Sequence, residues 1–114
     1  MSSMHRLVAL VAAMACAAAS ASTLSIAECF EGSDFIANAA LARENGMPRA
    51  TFLGRLEDDL EVIHAYPPQL RWFAKDRADE VFLYESAREV FDQPLTPDQH
   101  RARFLAACLD RGMA

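Results

Sequence analysis

The sequence predicts an all-α fold, a compact bundle of four to five helices in which one disulfide joins the first and last helices of the mature chain. Three observations predict it. Apolar residues recur at helical spacing in several separate stretches. No stretch alternates with period 2, and β-branched residues are sparse. Two cysteines, Cys29 and Cys108, stand near the two ends of what remains once a signal peptide is set aside.

That signal peptide is read from the first residues. His5 and Arg6 supply a positive flank, residues 7–19 are an apolar run, and Ala19-Ser20-Ala21 has the small-x-small form accepted at signal cleavage. Residues 1–21 are therefore expected to be removed, leaving residues 22–114 as one helical domain that is periplasmic or secreted. A lipid anchor at Cys16, which follows Ala13-Met14-Ala15, is the competing use of this stretch. Lipidation sites favour a large residue where Ala13 stands, so removal with the signal is preferred. No later stretch approaches the roughly 20 apolar residues of a membrane span.

Charge narrows the partners. The chain carries 11 basic and 16 acidic residues. Loss of Arg6 with the signal leaves a balance near −6, which argues against nucleic acid and anionic membrane surfaces. An even pair of cysteines in a small exported domain is most simply a disulfide. Bridging Cys29 to Cys108 closes a loop of about 80 residues, worth on the order of 4 kcal/mol in the chain-entropy model. It also requires the first and last helices to lie side by side. The rival zinc site, drawing on Cys29, Cys108, His64 and His100, has no two ligands at close spacing.

The elements follow in order. A first helix is expected over 26–45, with an interruption at Gly32 and a restart capped by Ser33, and with Ile36, Ala37, Ala40 and Leu41 inward. Gly46 stops it. Pro48 opens a second helix, in which Phe52, Leu56, Leu60 and Ile63 recur at helical spacing until Pro67-Pro68 forbids continuation after Tyr66. Pro68 begins a short helix carrying Leu70, Trp72, Phe73 and Ala74, and residues 76–79 form a polar break. A fourth helix over 79–91 turns Leu83, Ala87, Val90 and Phe91 inward. Thr96-Pro97-Asp98-Gln99 reads as a capping box for a last helix over 97–111, with Phe104, Leu105, Cys108 and Leu109 inward and Gly112 as its end.

Four features bear on function. The run Glu57-Asp58-Asp59-Leu60-Glu61 reads as a solvated helix face, since calcium ligands come from loops that wrap the ion. His64 and His100 border apolar stripes and read as boundary residues rather than pH sensors or ligands. Tyr66-Pro67-Pro68-Gln69-Leu70-Arg71-Trp72-Phe73 packs three aromatics and two prolines into one short segment. Core packing is its plainer reading, and Tyr66, Arg71, Trp72 and Phe73 are the candidate partner-binding set, since Trp, Tyr and Arg anchor interfaces. Lastly, ten of the basic residues are arginine and only Lys75 is lysine, from which no function is drawn. There is no Gly-rich phosphate loop, two-histidine zinc motif or nucleophile elbow, so no catalytic residue, cofactor or metal is expected.

The two cysteine contexts, Glu28-Cys29-Phe30 with Asp34-Phe35-Ile36 and Ala107-Cys108-Leu109, sit in an acidic, all-helical chain of this length. That architecture resembles the small periplasmic acid-stress chaperones of the HdeA type. Those chaperones are rich in lysine, and their disulfide closes a smaller part of the chain. It is similar also to periplasmic immunity proteins that neutralise toxins, and residues 35–43 resemble small exported proteins of proteobacteria. Two functions are therefore expected. The preferred one is a non-catalytic binder of a dedicated protein partner, as an inhibitor or immunity protein is. The alternative is an HdeA-like chaperone that opens at low pH to bind unfolded clients.

Overall fold

In the computed structural model, residues 24–112 are described; residues 1–21, expected to be a signal peptide, and with them Cys16, lie outside these. The chain folds into four α-helices: α1 (Ile26–Glu44), α2 (Arg49–Ile63), α3 (Arg77–Asp92) and α4 (Pro97–Arg111), with one 3₁₀ turn, Pro68–Leu70, between α2 and α3. No strand occurs among the described residues. α1 packs most extensively on α4 and also on α3, whereas α2 rests mainly on α3. α2 is thus the outlying helix of the bundle.

Cys29 and Cys108 form the expected disulfide, with Cα atoms 5.6 Å apart at a sequence separation of 79. Both are buried, and the bond fixes the first turns of α1 against the last turns of α4. α1 opens on a capping box that was not expected: the Ser25 hydroxyl accepts from the Glu28 N–H, and the Glu28 carboxylate accepts from the Ser25 N–H. The helix ends as expected, with Gly46 at φ 91°. Met47 N–H reaches Ala42 O and Gly46 N–H reaches Arg43 O, the paired bonds of a Schellman stop.

The expected interruption at Gly32 is absent, and α1 runs through it. A Cβ on Gly32 would lie 2.7 Å from both Phe73 Cε2 and Phe104 Cε1. Glycine stands there because two rings press on the helix backbone, not because the helix breaks. Ser33, expected to cap a restart, is buried and donates its hydroxyl to Phe30 O. Leu41, expected inward, is 45 % exposed, because the buried stripe of α1 runs through Cys29, Ile36, Ala37, Ala39 and Ala40 instead.

Two other expectations are corrected between α2 and α3. α2 stops at Ile63 and not at Tyr66, and the helix expected from Pro68 is a single 3₁₀ turn. Beyond it Arg71 is extended and Phe73 adopts φ 55°, which no helix contains. α3 begins two residues earlier than expected, capped by Asp76, whose side chain accepts from Asp79 N–H. Asp79, assigned to a polar break, is instead fully buried. Its carboxylate accepts from Arg111 Nη2 and Lys75 N–H, while the Arg111 guanidinium lies 4.4 Å from the Phe82 ring centroid. Burial pushes the Asp79 carboxyl up, and Arg111 partly offsets it.

α4 opens on the expected Thr96–Gln99 capping box. Gly112 follows its last turn at φ −78°, so it acts there as an ordinary right-handed residue. His100, expected at the boundary, is buried, with Nε2 3.1 Å from Gln93 O and 3.4 Å from Arg43 Nη1. Arg43 itself donates to Val90 O, Gln93 O and Leu95 O. One side chain of α1 therefore holds the end of α3 and the connection into α4.

Gly32→Ala is expected to lower stability by about 1–3 kcal/mol through overpacking, despite alanine's better helix propensity. Urea unfolding of the variant measures this. Arg43→Lys is expected to cost roughly 2–3 kcal/mol in the same assay, because one ammonium cannot serve three diverging carbonyls that a guanidinium reaches.

Candidate interaction surface

The segment after α2 is built to send adjacent aromatic residues in opposite directions. Arg71 donates from Nε to Tyr66 O at 2.8 Å and from Nη2 to His64 O at 3.4 Å, closing the loop on itself. The chain then reverses at Phe73, where Ala74 N–H bonds to Trp72 O across a single residue. A phenylalanine at positive φ is strained by about 1–3 kcal/mol and persists only where its surroundings fix it. Here the ring sits between Trp72, Phe82 and Phe104, at centroid distances of 5.7, 6.3 and 5.6 Å.

The four candidate partner-binding residues separate accordingly. Phe73 is 0 % exposed and belongs to the core, so it offers no surface to a partner. Arg71 is committed to its own loop's carbonyls. Tyr66 and Trp72 remain open, at 52 % and 38 % exposure, with Leu70 beside them. Trp72 lies against Phe35 of α1, at 5.6 Å between centroids.

Between α2, Phe35 of α1 and the Trp72 segment an apolar groove opens, with Leu83 of α3 at its base. It is a cavity of about 440 Å³ lined by Phe35, Leu56, Leu60, Val62, Ile63 and Trp72, with Asp59 and Leu83 completing it. Val62 is an exposed valine on this rim. Trp72 stands out in the sequence whereas Val62 and Phe35 do not, because an apolar residue on a helix carries no local sign of whether a neighbour covers it.

Across α2, towards α3, lies a second concavity of about 460 Å³ with the opposite character. Glu57, Asp58, Glu61, Glu80 and Glu85 line it, against one arginine, Arg77, and His64. Leu60 contributes to both depressions, so the C-terminal half of α2 is a ridge between them. His64 Nε2 pairs with the nearly buried Glu80 carboxylate, and Tyr84 OH donates to Glu57. That bond to a carboxylate, together with partial burial, raises the Tyr84 hydroxyl pKa above its ordinary value of 10.0.

The acidic run of α2 is exposed, and among the described residues none of Glu57, Asp58, Asp59 and Glu61 has an ion pair. On the other described helices most carboxylates are paired, Glu31 and Asp110 excepted: Asp34 and Asp98 meet Arg101, Glu89 meets Arg103, Asp92 meets Arg49 and Arg88, and Asp79 meets Arg111. Among the described residues no group of three or more His, Cys, Asp or Glu is placed to hold a metal ion. No described helix is long and apolar enough to cross a membrane. Comparison with protein-family models, curated proteins and solved structures finds no match for this chain.

Glu57→Gln is expected to bring the Tyr84 titration back towards 10, since an amide cannot favour the protonated phenol as a carboxylate does. Ultraviolet titration of phenolate absorbance, wild type against variant, measures the shift.

Proposed function

We propose that the protein acts by binding one dedicated protein partner, without catalysis, in the manner of an inhibitor or immunity protein of the periplasm or extracellular space. The observation that carries this reading is Trp72, held at the edge of an apolar groove by a strained turn whose next residue is locked in the core. A rigid aromatic side chain beside an open apolar depression is the kind of anchor that dominates interface energetics. The Cys29–Cys108 bond supports it, because a preorganised surface loses less entropy on binding. In native affinity purification from its own cells at neutral pH, the wild-type protein is expected to retain one stoichiometric partner. Trp72→Ala is expected to lose it, an interface anchor being worth about 2–4 kcal/mol. Equal retention by both proteins, or no partner for either, would overturn the reading.

The alternative, an acid-opened chaperone, is favoured by one observation. His100 is buried beside the Arg43 guanidinium. Burial pushes its pKa below 6.5, the nearby arginines Arg43 and Arg103 push the same way, and the bond to Gln93 O and the charge of Glu89 act against them. The unfolded chain therefore takes up this proton more readily than the folded one, so the stability present above pH 6.5 is lost as pH falls through the folded value. Glu28 adds to the loss further down. Burial acts to raise its carboxyl, but the Ser25 N–H and Lys75 hold it below 4.5. Asp79, with its raised pKa, contributes in the opposite sense. His100→Gln is expected to flatten the stability change between neutral pH and roughly pH 5, read by thermal unfolding at a series of pH values. The chaperone reading further requires the wild-type protein to keep unrelated clients from aggregating in acid.

A further inference from the structure

The two depressions on either side of α2 differ in chemistry but share a wall. A partner lying across the ridge would meet Trp72, Val62 and Ile63 on one side and Glu57, Asp58 and Glu61 on the other. The distribution of charge says what kind of segment that would be. The rest of the described surface pairs most of its carboxylates with arginine, whereas the ridge carries four carboxylates in five positions with no basic partner. Glu57 and Glu61 also repel each other at one-turn spacing. This arrangement costs the isolated helix a little, and it complements a cation.

We infer that the groove and the acidic ridge of α2 form one docking site for a basic, apolar-anchored segment of the partner protein. The segment's large apolar side chain seats against Trp72 and Val62, and its lysines or arginines reach over the ridge to Glu57, Asp58 and Glu61. The inference rests on the binding function proposed above and adds the chemistry of the partner. A second copy of the chain fits poorly, because the net charge is −5 and apposing two α2 ridges sets carboxylate against carboxylate. An anionic membrane surface is repelled for the same reason.

Trp72 is the only tryptophan in the chain, so its emission reports directly on the groove. The test is selection of a random displayed peptide library on the wild-type protein, with Trp72→Ala as counter-selection. Selected peptides are then titrated against wild type and against a triple variant, Glu57→Gln, Asp58→Asn and Glu61→Gln. The triple variant alters only exposed positions and relieves the repulsion along α2, so it should fold. The expected result is a set of Trp72-dependent peptides with basic residues beside an aromatic or aliphatic anchor. They should shift Trp72 emission, weaken with added salt, and bind the triple variant roughly tenfold less tightly. Trp72-dependent peptides that are acidic or uncharged, or that bind the triple variant equally well, would overturn the inference and leave the binding function standing. Concentration-dependent self-association abolished by Trp72→Ala would overturn it in favour of a second copy. No Trp72-dependent peptide at all would also overturn it, and the binding function would fall with it only if the affinity purification fails as well.

Discussion

The covalent link between Cys29 and Cys108 is the constraint on which the rest of the architecture depends. It sets α1 alongside α4 across a sequence separation of 79, and that pairing is the most extensive in the bundle. Only with the two helices held together do Gly32 on α1 and Phe104 on α4 form the pocket that takes the Phe73 ring. Seating that ring makes the left-handed backbone at Phe73 tolerable, and the reversed backbone directs Trp72 outward. The surface proposed to bind a partner thus depends on contacts that Phe73, the next residue, makes inside the core.

The aromatic side chains carry this dependence through the molecule. Phe91 meets Phe52, Phe52 meets Phe35, Phe35 meets Trp72, and Trp72 meets Phe73, each at ring separations between 5.4 and 5.8 Å. Such pairs add about 0.5–1.5 kcal/mol each beyond the area they bury. They also join α2, whose helical contacts are mainly with α3, to the α1–α4 clasp. Arg43 is the polar counterpart, tying the end of α1 to the carbonyls that lead out of α3.

Much of the fold was legible in the sequence because it depends on local rules. The Thr96–Gln99 capping box, the Gly46 stop and the apolar stripe of α3 are short-range signals, and each stands where expected. The disulfide was legible because Cys29 and Cys108 are the two cysteines outside the stretch expected to be a signal peptide. What could not be read depends on distant partners. Gly32 resembles a helix break until the rings of Phe73 and Phe104 are in place. Asp79 resembles a polar turn until Arg111, 32 residues further on, pairs with it. Trp72 could be nominated from composition, but its separation from Phe73 follows from one backbone reversal. The groove beside it required knowing that Phe35 of α1 and the Trp72 segment lie beside α2.

The central claim is that the disulfide clasp supports both the bundle and the presentation of Trp72. The most direct measurement is urea unfolding of the oxidised protein and of a Cys29→Ser, Cys108→Ser variant, followed in parallel by helical circular dichroism and by Trp72 fluorescence. The account predicts that both probes move together to lower urea, by an amount on the order of 4 kcal/mol in unfolding free energy. An unchanged transition by both probes would contradict it, as would a Trp72 signal that keeps its stability while the helices lose theirs.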